Sequence, residues 1–324
     1  FGGFTLSRPD PQALWRKRLD AREWEKADGV FTRDEKKGEW RLAKTVPERW
    51  QIGLGGLKMW VKPTVFKHTG IFPEQSANWE WLRGTLNAVP APSPTLSLRV
   101  PRRTPLVGHA PRSVGDGAAD AMTETDTFVA TGGESSAPVA TPEVLNLFGY
   151  TGGATLACVS AGAKVTHVDG SKAAMTWARE NAELSGLGDR PVRWILDDAR
   201  TFVKREIKRG RKYDGIIMDP PSFGHGPEGE LWKIEEDLLP LVESCAALLS
   251  DDIDSKHHDL PHFFLINGYS AGYSALAYEN ILLSLKEKFG GETKFGELAI
   301  RESKMADLES RILPCGIFAR WMAE

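Results

Sequence analysis

Four short segments between residues 143 and 226 concentrate the groups able to hold a ligand: FGYTGG at 148–153, VDGS at 168–171, LDDA at 196–199 and DPPSF at 219–223. In the first, Gly149, Gly152 and Gly153 permit positive φ and let a ligand lie against bare backbone, ahead of an apolar helix at 154–161. Their G-x-x-G-G spacing is not the G-x-G-x-x-G of a dinucleotide loop, which fits a pyrophosphate. Asp169 sharpens the reading, because a carboxylate at a strand end can accept hydrogen bonds from both hydroxyls of a ribose. Asp197 and Asp198 follow, within reach of an adenine exocyclic amine. Together these groups describe a nucleoside site. Asp219, Pro220, Pro221, Ser222 and Phe223 then supply a carboxylate, two imide carbonyls and an aromatic ring, on a loop whose φ angles proline fixes. Such a loop can hold a planar, amine-bearing group by hydrogen bonds and stacking.

Each segment closes an apolar run that reads as a strand, at 144–148, 164–169, 192–196 and 213–218, with helical stretches between. That alternation gives a parallel sheet whose carboxyl edge collects all four segments. Beyond them the pattern predicts a helix at 231–250, a fifth strand at 262–267, a helix at 275–288, and two strands at 293–301 and 311–319 joined by the polar turn 302–310. In this order the motifs resemble the class I S-adenosylmethionine-dependent methyltransferases, where they stand as cofactor loop, ribose acid, adenine contact and substrate loop. The resemblance covers residues 144–324 and implies an α/β fold: a Rossmann-like seven-stranded sheet with a C-terminal antiparallel hairpin. It implies S-adenosyl-L-methionine as cofactor, contacted by Phe148, Gly149, Tyr150, Thr151, Gly152, Gly153, Asp169, Gly170, Ser171, Asp197, Asp198, Ala199 and Asp219. The acceptor falls to Asp219, Pro220, Pro221 and Phe223.

Each segment also has a purely structural reading. The glycines suit a tight βα turn, Asp169 can cap a helix beginning near Ser171, and DPPSF makes a rigid turn. Of Asp197 and Asp198, one caps the helix at 199–209 while the other meets the ligand; the family register gives the ligand to Asp198. It is the conjunction of four segments that favours binding. His225, on its glycine loop, reads as a surface residue in preference to a proton acceptor. His257, His258 and Asp259 would need a further partner such as His262 to hold a metal, and no metal is expected.

Ahead of the core, residues 1–87 hold Trp15, Trp24, Trp40, Trp50, Trp60, Trp79 and Trp81 among strand-like runs at 40–45 and 57–61, and read as a small β-rich subdomain on the substrate side. Residues 88–142 carry prolines at 90, 92, 94, 101, 105, 111, 138 and 142 and read as a linker or insertion. The catalytic core is 143–324. RPDPQALW at 8–15 and FKHTGIFPEQ at 66–75 resemble segments that precede the core in bacterial large-subunit ribosomal RNA methyltransferases. By that resemblance Phe72, Glu74 and Gln75 touch the cofactor or position the substrate; as plain structure, Phe66, Ile71 and Phe72 are core and the polar residues cap a helix near Ser76. The cytosine carbon-5 members of this group carry a nucleophilic Cys just after the fifth strand. Here that place reads Leu265-Ile266-Asn267-Gly268-Tyr269-Ser270. Direct transfer to a nitrogen, which already has a lone pair and needs only placement, is the expectation.

At 324 residues the chain exceeds one average domain. No apolar run approaches a membrane span and the start is not signal-like; since the first residue is Phe1, the natural N-terminus is expected upstream. Cys158, Cys245 and Cys315 lack metal spacing and read as buried small hydrophobes in a reducing, cytoplasmic compartment. The net charge of −3 is unlike a strongly basic nucleic-acid binder. Residues 1–85, however, hold 16 Lys and Arg against 11 Asp and Glu, so the remainder sums to −8. The asymmetry points to the N-terminal part as an RNA face, with Arg16, Lys17, Arg18 and Arg22 on a helix face and Arg102, Arg103 and Arg112 adding to it. The expected function is methylation of a base in RNA, ribosomal RNA by resemblance. A small-molecule or protein methyltransferase on the same core, and a non-catalytic cofactor-binding module, are the alternatives; the oligomeric state is left open.

Overall fold

The computed structural model describes residues 1–33, 38–65, 67–87, 141–250, 260–269, 272–301 and 311–323. Most of the proline-rich stretch 88–142, including Arg102, Arg103 and Arg112, lies outside the described residues, as do Phe66, His257, His258, Asp259, Ser270 and the turn 302–310. Residues Phe1–Ala91 and Ala140–Glu324 form one compact unit.

In the N-terminal part, β1 (Leu6–Ser7), β2 (Gly29–Arg33) and β3 (Gly38–Leu42) make a small sheet, with the short helix α1 (Ala21–Glu25) between β1 and β2. β4 (Trp50–Leu54) and β5 (Leu57–Val61) form a hairpin whose two turn residues, Gly55 and Gly56, sit at φ 54° and 76°. That left-handed pair matches the twist of the flanking strands. The hairpin docks on the core: the Trp60 N–H donates to Asn181 Oδ1 at 2.8 Å and Trp177 Nε1 donates to the Trp60 carbonyl at 3.1 Å. A 3₁₀ turn, Pro73–Gln75, then leads into α2 (Ser76–Asn87).

The core runs β6 (Glu143–Leu147), α3 (Gly153–Ser160), β7 (Lys164–Asp169), α4 (Lys172–Leu184), β8 (Val192–Leu196), α5 (Ala199–Lys208), β9 (Gly215–Met218), β10 (Phe223–His225), β11 (Leu231–Lys233), α6 (Ile234–Ala246), β12 (Phe263–Gly268), α7 (Ala275–Phe289), β13 (Glu292–Arg301) and β14 (Ile312–Met322). Its seven-stranded sheet has the order β13-β14-β12-β9-β6-β7-β8. β6 to β9 and β12 pair in parallel, while β14 is antiparallel to both its neighbours, as the expected hairpin requires.

Strands buried on both faces read as continuous apolar runs, and alternate side chains serve opposite layers. Ile216, Met218, Phe264 and Ile266 pack under α5, α6 and α7 with Phe202, Val242 and Leu282. Ile217, Phe263 and Leu265 pack the other way against α2, α3 and the β4–β5 hairpin, with Trp79, Leu82, Leu156, Met59 and Val61. The second layer joins the Trp-rich N-terminal part to the core.

Two expectations change. The helix predicted at 231–250 begins as a strand: Leu231–Lys233 pairs antiparallel with Phe223–His225, and α6 starts at Ile234, where Glu235, Glu236 and Asp237 favour a helix N-terminus. The basic run at Arg16, Lys17 and Arg18 is not helical either, because Asp20 caps α1 by accepting from the Glu23 N–H, and the run precedes that cap. Of the four basic residues only Arg22 is on the helix.

Candidate active site

A cavity of about 470 Å³ opens at the carboxyl edge of the sheet. It lies where the strand order reverses between β6 and β9, the place where open α/β sheets leave a crevice. The ends of β6, β7, β8, β9 and β12 contribute to its wall, β14 adds Cys315 and Gly316, and the segment before α2 adds His68, Phe72, Glu74 and Gln75.

The FGYTGG loop is built differently from its glycine pattern. Phe148 and Tyr150 take the left-handed conformation, at φ 55° and 49°, and of the three glycines only Gly152 does, at φ 90° as the N-cap of α3. Gly149 and Gly153 serve space instead, since a Cβ would enter the His167 ring at the first and the Trp79 indole at the second. His167 is buried, and burial pushes its pKa down to about 3, so it is a neutral ring packed against the loop. The strained residues at 148 and 150 turn the Tyr150 N–H onto Asp169 Oδ2, at 2.7 Å. Phe148 and Tyr150 line the main cavity; Gly149, Thr151 and Gly153 line a smaller pocket behind it, and Gly152 lines neither. Thr151 is tied inward, its hydroxyl donating to the Gly70 carbonyl at 2.6 Å.

Asp169 lines the cavity with Gly170 and Ser171. It is not the helix cap: Ser171 caps α4 by accepting from the Ala174 N–H. Asp169 Oδ1 accepts from the Ser171 N–H at 2.8 Å, so each carboxylate oxygen takes one backbone donor and keeps a lone pair. Burial holds this carboxyl above the usual carboxylate range. At the next strand end the cap is Asp198, the residue that the family register gives to the ligand: it accepts from the Thr201 N–H at 3.0 Å and pairs with Arg200. Asp197 is paired with Arg205, and Asp197, Asp198 and Ala199 all line the cavity.

At the opposite end stand Asp219, Pro220, Pro221 and Ser222. Among the described residues the Asp219 carboxyl has no hydrogen-bond partner; enclosure by protein, reinforced by the nearby Glu74 carboxylate, pushes its pKa up to about 7. Phe223 departs from its expected place. It is 59% exposed, begins β10, and packs edge-on against His225 rather than lining the cavity. The aromatic wall is Trp232, whose ring lies 4.9 Å from Phe148 and whose Nε1 donates to the Pro221 carbonyl at 2.6 Å. Sequence reasoning missed Trp232 because LWK was absorbed into a helix; its signal was the Pro-Glu-Gly turn between FGH and LWK. His68, Tyr269, Cys315 and Gly316 were missed because each comes from a segment distant in sequence. His225 also lines the cavity.

Cys158, Cys245 and Cys315 are all buried as expected, the first two in α3 and α6, and Cys315 also borders the cavity. Burial and the Glu74 carboxylate push its pKa up to about 11, and its thiol donates to the Leu313 carbonyl at 3.4 Å. No cluster of metal-binding side chains exists among the described residues, and none of the described helices is long and apolar enough to cross a membrane.

Residues 128–237 match the sequence family described as Conserved hypothetical protein 95. The ribosomal RNA large subunit methyltransferase K of Neisseria meningitidis is 33% identical over 110 residues, which are 33% of this chain and 31% of that protein. The large subunit methyltransferase I of Klebsiella pneumoniae is 41% identical over 86 residues, 26% of this chain and 22% of that protein. The chain thus spans about a third or less of the length of these curated relatives. A crystal structure of a SAM-dependent methyltransferase from Agrobacterium tumefaciens is 33% identical, with a TM-score of 0.78, and its alignment covers all of this chain and 86% of that one. With that likeness running the full length of the chain, and the crevice placed where such folds bind their ligand, the protein belongs to the S-adenosylmethionine-dependent methyltransferases.

Proposed function

We propose that the protein transfers a methyl group from S-adenosylmethionine to a nitrogen of a base in RNA, with ribosomal RNA as the substrate class. The observation that carries this reading is the shared cavity: the carboxylate suited to a ribose, Asp169, and the proline-bounded carboxylate suited to an acceptor, Asp219, open into one space. The residues fit the cofactor, because Asp169 keeps a lone pair on each oxygen and the Phe148–Trp232 wall offers an apolar face beside Asp197 and Asp198. When bound, the cofactor supplies an electrophilic methyl group on a sulfonium. The acceptor needs alignment rather than activation. Asp219 accepts a hydrogen bond from an N–H of the acceptor, and the Pro220 carbonyl of the same loop accepts a second. Cys315 does not act as a nucleophile in this scheme, since its raised pKa keeps it a thiol at neutral pH. The matched ribosomal RNA methyltransferases and the basic surplus in residues 1–85 support RNA as the acceptor.

Incubation with radiolabelled S-adenosylmethionine and ribosomal RNA from cells lacking this gene should label the RNA, and nuclease digestion should give a nitrogen-methylated nucleoside. Label confined to protein or to small molecules would overturn the RNA assignment. A 5-methylcytosine product, or a denaturant-stable adduct with fluorocytosine RNA that Cys315→Ser abolishes, would overturn direct transfer to nitrogen.

A further inference from the structure

A chain of hydrogen bonds runs from β14 through α2 to the cofactor side of the cavity. Its origin is Arg320, whose guanidinium lies between the Trp81 and Phe318 rings, at 4.4 and 4.3 Å from their centroids. Burial pushes its pKa down to about 10, so it remains a cation at neutral pH. Arg320 Nη2 donates to Asn78 Oδ1. A guanidinium has donors only, so this bond fixes the Asn78 amide with its oxygen toward Arg320 and its nitrogen away. Asn78, fully buried, donates through Nδ2 to Gln75 Oε1 at 2.9 Å and to Asn267 Oδ1 at 2.6 Å. Both neighbours are thereby oriented as well: their oxygens are taken by Asn78, and the N–H₂ half of each amide is left for other partners. Gln75 and Asn267 line the small pocket that they share with Tyr150, Thr151 and Asp219.

We propose that Arg320 is a positioning residue which, through Asn78, sets the amides of Gln75 and Asn267 with their N–H₂ groups toward that pocket, where they receive the carboxylate of the cofactor's amino-acid end. This rests on the reading that the cavity holds S-adenosylmethionine and is independent of the acceptor. With the ribose at Asp169 and the adenine toward Asp197 and Asp198, the amino-acid end extends the other way, along Tyr150 and Thr151 to Gln75 and Asn267. A carboxylate accepts hydrogen bonds only, so the direction of the amides decides whether the pocket attracts or repels it.

The test compares two ligands by calorimetry. S-adenosylhomocysteine carries the amino-acid end, and 5′-methylthioadenosine lacks it. Asn78→Asp keeps the bond to Arg320 but removes the N–H₂ group, so Gln75 and Asn267 turn their donors to the new carboxylate and their oxygens to the pocket. The variant is expected to bind S-adenosylhomocysteine ten- to a hundredfold more weakly and 5′-methylthioadenosine as wild type does. Arg320→Met, which frees the Asn78 amide to turn, should show the same selective loss in smaller measure and decides the matter if Asn78→Asp does not fold. Equal weakening of both ligands, or no weakening of either, would overturn the proposal and leave the cofactor reading intact. Failure of the wild-type protein to bind either ligand would overturn both.

Discussion

The Tyr150 N–H donates to Asp169 Oδ2 at 2.7 Å, which makes the loop after β6 and the end of β7 one unit. The bond exists because Phe148 and Tyr150 accept left-handed backbone, a conformation that costs a non-glycine residue about 1–2 kcal/mol. Asp169 takes a second donor from Ser171 and so has no oxygen to spare for an exchange. Asp169→Asn is therefore not a mild change: its N–H₂ would face one of the two backbone N–H groups, and one acceptor for the ribose would go. Calorimetry should show S-adenosylhomocysteine binding weakened by one to two decades, or about 1.5–3 kcal/mol. An affinity equal to wild type would remove Asp169 from the site.

Asp219 predicts two linked pH effects. In the fold its carboxyl holds a proton up to about pH 7, against an ordinary value of 3.8. The native state therefore binds the extra proton, gains relative stability below pH 4, and loses it as pH rises through 7. Asp219→Asn, neutral throughout, should melt level with wild type at pH 4 and above it at pH 8, by up to about 4 kcal/mol and less where the cavity admits water. Turnover should do the opposite. In the proposed scheme the ionised form accepts the hydrogen bond from the acceptor, so wild-type kcat should rise with a midpoint near pH 7, while the Asn variant stays low at all pH. A stability difference that does not change with pH would show that the carboxyl is not enclosed.

Gly149→Ala and Gly153→Ala separate space from backbone freedom. The added methyl meets the His167 ring in one and the Trp79 indole in the other, both buried and both anchored in the core. Each should lower stability by about 1–3 kcal/mol, the range for overpacking a filled core. Gly153→Ala should also weaken S-adenosylhomocysteine binding, because Trp79 belongs to the helix that carries Asn78. Thermal melts unchanged from wild type would refute the packing described for both glycines.

The sheet and the strand-end motifs were legible because each obeys a local rule: apolar run, strand end, carboxylate or glycine. What the glycines do was not legible, since positive φ went to Phe148 and Tyr150, and the reason for Gly149 and Gly153 lies in rings 18 residues later and 74 residues earlier in the chain. Trp232 was hidden because three residues of β11 run directly into α6, and a short strand beside a helix has no period of its own. That Asp198 is the helix cap was settled by where α5 begins, at Ala199, which puts the Thr201 N–H on Asp198 Oδ1. Cys315 reached the cavity through the pairing of β14 with β12, which joins strands on either side of α7 and β13 in the chain.

The last prediction divides RNA binding from chemistry. Arg16 and Lys17 are exposed, and Lys17 Nζ lies 4.3 Å from the centre of the Trp24 ring, a basic and aromatic pairing suited to a nucleic-acid backbone with a base stacked beside it. Arg311 donates to the Arg16 carbonyl at 2.8 Å, so this stretch is held against the start of β14, the strand that brings Cys315 to the cavity. Reversing both charges, Arg16→Glu with Lys17→Glu, should weaken RNA binding and flatten its dependence on log salt by about 0.7–0.9 for each phosphate no longer neutralised. S-adenosylhomocysteine affinity should not move, because neither residue lines the cavity. Asp219→Ala should show the converse: turnover falls by orders of magnitude through misalignment, while RNA affinity barely changes, since one hydrogen bond is a small part of an interface that spans several phosphates. If the charge-reversed protein keeps full RNA affinity across several salt concentrations, the N-terminal stretch is not the RNA face. An acceptor that is not RNA would then agree better with the net charge of −3.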